Sequence, residues 1–325
     1  MYPLNRNRRL RSSSSLRSLL QENHLTPNDF IVPLFIVEGK QLKEPIPSMP
    51  GYFRFSLDLL AEKAKVLWKK EIKAVLLFVR VADKLKDNKG AEALNSDCLM
   101  QKAIKTIKTA VPGMIVMTDV ALDPYSSFGH DGIVEEGKVL NDPTIAVLSE
   151  MALSHAQAGA DVVAPSDMMD GRVLSIRKQL EEANYHDTLI MSYSAKYASS
   201  FYGPFRDALN SAPKGGDKKT YQMNPANKKE ALIEALLDSQ EGADFLMVKP
   251  ALCYLDVIHI LKENFNIPIT AYNVSGECAM VYAAAEKGWL NYEMAMSEML
   301  LSIRRAGADG ILTYFAKDYA NMIIR

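Results

Sequence analysis

Cysteine is scarce in this 325-residue chain. Cys98, Cys253 and Cys278 are far apart and none belongs to a C-x-x-C pair, which argues against a disulfide scaffold and a thiolate zinc site and fits a reducing, cytoplasmic compartment. An excess of either charge is also lacking: 38 basic against 39 acidic residues give a net charge of −1, so no broad cationic field is present for nucleic acid or an anionic membrane. No apolar run approaches the length of a membrane span. The basic stretch from Arg6 to Arg17 leads into serines and not into the apolar segment of a signal peptide. Glycine-rich phosphate loops are missing, and no G-x-G-x-x-G follows the first apolar run. What is present is a chain with 48% hydrophobic residues, long enough to bury a large core as one barrel or two smaller domains and suited to a small-molecule partner.

Eight short apolar runs read as buried strands: 31–37, 74–79, 114–120, 161–165, 188–193, 244–248, 268–272 and 309–314. Segments with helical spacing lie between most of them, at 57–69, 143–157, 228–240 and 292–305. That alternation predicts an α/β fold with a parallel sheet, either a (β/α)8 barrel or an open doubly wound sheet. A weak repeat supports the count: AGADVVAP at 158, EGADFLMVKP at 241 and AGADGILTYF at 306 each close a helix and open a strand. Gly159, Gly242 and Gly307 suit the left-handed cap after a helix, and such turns belong to the face of a barrel that serves stability. Residues 1–28 precede the first strand and read as an arm for subunit contacts, 29–325 as the barrel, and the polar, glycine-bearing stretch 211–227 as part of a lid spanning 200–227.

Chemistry belongs at the strand C-termini. There the chain sets Asp119, Asp123, His130 and Asp131 after the third run, Ser166 and Asp167 after the fourth, Lys196 after the fifth and Lys249 after the sixth. Tyr272 and Ser275 follow at the seventh and Tyr314 at the eighth. Lys249 ends the run FLMV before Pro250, so its stem is buried and an idle charge there is costly; Lys196 alone, in a Ser/Tyr-rich segment, also reads as an ordinary solvated lysine. The aspartates read either as turn formers, in Asp123-Pro124 and Asp131-Gly132, or as ligands of a hard cation. His155 and the methionines read as core. A lysine made neutral can attack a carbonyl, and two together can hold two carbonyl substrates. Mutual repulsion of two ammonium groups about 5 Å apart, roughly 3 kcal/mol at an effective dielectric near 20, is expected to lower one lysine to about 8.

GADFLMVKPALCYLD and MSYSAKYASSFYGPFRDA, with NRRLR, DVALDPYSSFGHDG, DVVAPSDMMDGRV, YNVSGE and RRAGADGILTYF, run through essentially the whole chain and resemble the 5-aminolevulinate dehydratase, or porphobilinogen synthase, family. The resemblance implies a (β/α)8 barrel with an extended N-terminal arm, assembled as a homo-octamer of arm-hugging dimers. It implies condensation of two 5-aminolevulinate molecules, with Schiff bases on Lys249 for the propionate-side substrate and Lys196 for the acetate-side one. Ser275 and Tyr314 then hold the propionate-side carboxylate, Arg206, Lys218 and Gln222 clamp the acetate side from the lid, and Asp119 and Ser166 contact the amine and assist proton transfer. Zinc-dependent members carry cysteines where this chain has Ala121, Asp123 and Asp131, so zinc is not expected. The aspartate-rich pattern implies an allosteric magnesium ion near Glu234, with Asp123 and Asp131 as candidate ligands of an active-site cation, magnesium or monovalent. Two other readings stay open at this stage: a class I aldolase using Lys249 alone, and a catalytically silent barrel serving as an oligomeric scaffold.

Overall fold

In the computed structural model of the chain, residues 1–323 are described; positions 324–325, the end of the expected barrel domain, lie outside them. Eight parallel strands close into a barrel: β1 (Phe30–Val37), β2 (Ala74–Arg80), β3 (Ile115–Val120), β4 (Val162–Pro165), β5 (Leu189–Lys196), β6 (Phe245–Lys249), β7 (Ile269–Asn273) and β8 (Gly310–Thr313). Each pairs with the next, and β8 returns to β1 through Phe30↔Ile311 and Ile31↔Leu312. The open doubly wound alternative is thereby excluded. The strands are apolar on both faces because each is covered outside by helices and inside by the other strands. The helices expected between them are Leu57–Lys69, Asn141–Ala158, Lys229–Gln240 and Tyr292–Ala306. A short hairpin, Lys43–Pro45 with Phe53–Phe55, lies beside β1. Among the described residues no helix is long and apolar enough to cross a membrane.

The repeated Gly-Ala-Asp turns have a shared job at the base of the barrel. Gly159 and Gly307 end their helices at φ of 104° and 119°, a region costly for any residue with a Cβ. The following aspartates each accept an N–H from the first two residues of a neighbouring strand: Asp161 from Val116, Asp244 from Ile190 and Asp309 from Ile269, at 2.7 to 2.9 Å. Each is also paired with a basic side chain, Lys108, Arg177 and Lys262 respectively. His155 is core as expected: it is fully buried, its Nδ1 lies 3.0 Å from the Thr118 hydroxyl, and burial pushes it down to about 3, so it stays neutral.

Of the strand ends that differ from the sequence expectation, two matter for the site. The fifth and sixth strands run on through Lys196 and Lys249, which are the terminal residues of β5 and β6 and partners in register. The polar letters S-Y-S-A-K end the apolar signal at Tyr193, but the ladder continues to Tyr197, whose N–H donates to the Lys249 carbonyl at 2.9 Å. Between Leu246 and Val248 the register slips, so that Leu246 faces Ser192 while Val248 faces Ala195. The extra residue on β5 sets the two lysines level. Parallel strands stand about 4.8 Å apart, so their side chains leave the barrel mouth as neighbours.

Candidate active site

Lys249 ends its strand among four aromatic rings. Its Nζ lies 4.6 Å from the ring of Tyr272, 4.9 Å from Phe205, 5.0 Å from Tyr202 and 5.2 Å from Tyr193. Burial in this box lowers the lysine to about 7, with the neighbouring Lys196 a further cause. Charge repulsion, the cause expected from sequence, is therefore the second one. Ring faces attract the ammonium form, but loss of hydration wins because the side chain is almost wholly enclosed.

Lys196 sits in a polar setting instead. Its ammonium donates to the backbone carbonyl of Ser166 and lies 3.5 Å from Asp131. Asp131 also receives the Lys218 ammonium at 2.7 Å, and Asp123 lies 3.4 Å from the same Nζ. Asp131 is fully buried, yet Lys196 and Lys218 hold it below the ordinary carboxylate range. Asp119, beside the Ser166 hydroxyl, is pushed up to about 7 by burial and by the charge of Asp123. One of its oxygens, Oδ1, has no hydrogen-bond partner. A carboxyl poised near neutrality next to a free amine can both take and give a proton.

These groups share one cavity of about 30 Å³, lined by Asp119, Asp123, Asp131, Ser166, Lys196, Tyr202, Phe205, Arg206, Lys218, Gln222 and Lys249. Ser275 and Tyr314 lie in the adjoining cavity of about 10 Å³ with Met49 and Tyr52. Phe205 links the two sets of residues: its ring approaches Lys249, and its backbone N–H donates to the Ser275 hydroxyl at 3.1 Å. Tyr272 spans the same gap, with its phenol 2.7 Å from that of Tyr314. The sequence alone did not single out Tyr193, Tyr202 and Phe205. A signal exists, since Tyr193 precedes Lys196 by three positions and FYGPF begins five positions after it, but only closure of the barrel turns those rings onto the neighbouring lysine.

The helix Gly203–Leu209 brings Phe205 and Arg206 to this cavity, and the segment that follows it, through 222, brings Lys218 and Gln222. His130 fastens it, with Nδ1 3.0 Å from the Tyr221 hydroxyl and Nε2 2.9 Å from the Gly215 carbonyl oxygen. Glu234 lies outside this chamber, on the helix Lys229–Gln240, in an open polar cavity of about 460 Å³ that residues 219–224 also line. Asn141, Asp170, Asn227 and Glu230 line it too. Burial, with Asp238, Asp170 and Glu230 nearby, raises the Glu234 carboxyl. Among the described residues no group of three or more His, Cys, Asp or Glu side chains is placed to hold a metal ion directly. Asp123 and Asp131 are paired with the Lys218 ammonium, whereas Glu234 shares its cavity with the carboxyls of Asp170 and Glu230 and the amides of Asn141, Asn224 and Asn227, alongside Lys219 and three methionines, and its oxygen donors suit a hydrated hard cation that needs few protein ligands.

The sequence profile of the family described as Delta-aminolevulinic acid dehydratase matches residues 4–322. Similar proteins include the Delta-aminolevulinic acid dehydratases of Methanothermus sociabilis, 51% identical over 99% of each chain, and of Bacillus subtilis, 49% identical over 98% of each. The chloroplastic Delta-aminolevulinic acid dehydratase of Physcomitrium patens is 55% identical over 96% of this chain and 72% of its own. The solved structure of delta-aminolevulinic acid dehydratase (porphobilinogen synthase) from Toxoplasma gondii ME49, in complex with the reaction product porphobilinogen, superposes with a TM-score of 0.96 at 50% identity. That match covers 98% of this chain and 91% of that one.

Proposed function

The chain belongs to the delta-aminolevulinic acid dehydratase family, with the porphobilinogen synthase activity of a lyase in tetrapyrrole biosynthesis, and we propose that its two strand-end lysines carry the reaction as Schiff bases. The observation that carries this reading is the pair Lys249 and Lys196, level across β5 and β6, with Lys249 lowered to about 7 inside an aromatic box. Each amine adds to the ketone of one 5-aminolevulinate and expels water, leaving a protonated imine. One iminium loses a proton from its adjacent carbon, which bonds to the other imine carbon, and its own imine carbon takes the substrate amine in place of the lysine. The lysines are released as the ring forms, so two substrates give one pyrrole and two waters. Asp119, near neutrality beside Ser166, is the group suited to moving protons between substrate carbon and amine. Binding both substrates side by side replaces a collision with an intramolecular step.

In this reading Ser275 and Tyr314 hold the carboxylate of the substrate on Lys249, and Arg206, Lys218 and Gln222 that of the substrate on Lys196. A cavity of about 30 Å³ has room for about one water. Loading two substrates therefore requires the segment 211–222 to open and Phe205 to swing aside, and the incoming carboxylate takes the Lys218 ammonium from Asp131 and Asp123. Schiff-base formation has a sign with pH. The free amine of Lys249 is present above its lowered value of about 7, so borohydride trapping of laevulinate on Lys249 should rise through neutral pH and level off about a unit and a half higher. An ordinary lysine near 10.4 would keep gaining about tenfold per pH unit across that range, and such a profile would sink the assignment.

The same reading includes magnesium at Glu234, supported by the polar cavity that residues 219–224 also line, and no zinc. The ion there would order the lid from outside the chamber. A monovalent or divalent cation at Asp123 and Asp131 is the competing site, and it requires Lys218 to withdraw. Glu234→Ala should remove most of the magnesium stimulation and leave basal turnover, while a zinc-selective chelator has no effect on the wild type. Complete inactivation by EDTA, with Glu234→Ala still fully magnesium-responsive, would move the essential cation to the aspartates. A homo-octamer of arm-hugging dimers in the cytoplasm completes the proposal. Its support is an arm with no buried residue in either of its short helical turns, with Tyr2, Leu4, Leu10 and Leu19 exposed, and three free cysteines.

A further inference from the structure

Behind Lys249, Ser275 and Tyr314 lies a buried polar chain that the reaction itself does not use. Glu277 is fully enclosed, and its Oε1 accepts the N–H of Leu252 at 2.8 Å, in the turn that follows Lys249. Its Oε2 accepts the N–H of Val274 and the side-chain amide of Asn273, both at 2.9 Å. Asn273, also fully buried, accepts the Thr313 hydroxyl through Oδ1 at 2.8 Å. The Thr313 hydroxyl oxygen in turn accepts the N–H of Phe315 at 3.1 Å, fixing the turn that bears Tyr314. Asn273 and Thr313 are register partners on β7 and β8. One chain of hydrogen bonds thus ties together the ends of β6, β7 and β8, the three strands whose termini carry Lys249, Ser275 and Tyr314.

Burying a carboxylate is costly, and replacing such networks by apolar packing is often neutral for stability. A network that fixes distances between functional groups has another use. We propose that Glu277, Asn273 and Thr313 are positioning residues that set the spacing between the Lys249 amine and the Ser275 and Tyr314 hydroxyls, and with it the number of methylenes accepted between ketone and carboxylate. The inference rests on the assignment of Lys249 as the imine-forming amine and of Ser275 and Tyr314 as the carboxylate site. A 4-oxo acid spans that distance with two methylenes. The homologous 5-oxo acid has three, and fits only if the turn after Lys249 moves away from the helix Ser275–Glu286, a movement the Glu277 carboxylate resists from both sides.

The test is borohydride trapping on the full-length protein, comparing laevulinate with the homologous 5-oxo acid, with peptide mapping of the label. Wild type should label Lys249 with a preference for laevulinate of about tenfold or more, the scale of discrimination by one methylene. Glu277→Gln keeps the shape but sets an amide N–H against a backbone N–H or gives up one acceptor, and the preference should fall below about threefold. Thr313→Val, which removes only the outer link, should move the ratio in the same direction and covers the case in which Glu277→Gln fails to fold. An unchanged ratio in a folded variant, even with slower labelling by both acids, would overturn the inference, because a merely structural role lowers both rates together. Absence of label on Lys249 in wild type would instead overturn the underlying imine assignment and the inference with it.

Discussion

Lys249→Ala is expected to abolish porphobilinogen formation, with a loss on the order of 10⁴-fold or more, and Lys196→Ala to lose nearly as much. In the proposed reading each replacement removes a covalent anchor, which no neighbouring charge can supply: four aromatic rings surround the Lys249 amine, with Lys196 and Asp119 in the same cavity, and Lys196 is tied to the Ser166 carbonyl and Asp131. The two variants should differ in what they trap. Lys196→Ala should still label Lys249 with laevulinate and borohydride, whereas Lys249→Ala should lose the label. Lys249→Arg should not rescue, because a guanidinium stays charged and cannot form the imine. Turnover above about one per cent in Lys249→Ala would contradict the two-amine reading and favour a reaction that needs only one of the lysines.

Arg172→Leu is expected to cost about 3–5 kcal/mol of stability, the scale for breaking a buried ion pair from one side. Its guanidinium is buried and lies 3.0 Å from Asp238 and 3.7 Å from Asp167, with further bonds to the Ser192 hydroxyl and the Tyr193 carbonyl. Three elements meet there: the turn after β4, strand β5 and the helix Lys229–Gln240. Removing the arginine leaves two enclosed carboxyls without their cation; Asp167 is already pushed up to about 6 by burial, against the pull of Arg172. Denaturant unfolding of the purified variant reads the loss. A midpoint shift equivalent to less than about 1 kcal/mol would show that the aspartates had taken up protons at little cost. Because Asp167 follows Ser166, whose carbonyl receives Lys196, activity should fall in step with stability.

The sequence by itself determined the alternation of strands and helices, the count of eight, and the glycine turns at the base, because those depend on local patterns: apolar runs, helical spacing and a backbone region that suits glycine. It also placed Lys196, Lys249 and the aspartates at one end of the sheet, since parallel strands send every C-terminus to the same face. The tertiary structure decided the rest. Whether the lysines stand level depended on one slipped residue between Leu246 and Val248, which leaves no trace in composition or period. That Lys249 is lowered by enclosure before repulsion depended on rings from β5, the helix Gly203–Leu209 and β7 converging on it, a long-range event. The pairing of Lys218 with Asp123 and Asp131 joins positions nearly a hundred residues apart and forms only in the folded chain. Local pattern can fix which groups reach the barrel mouth, but their protonation and spacing are set by what encloses them, and enclosure is a property of the folded chain.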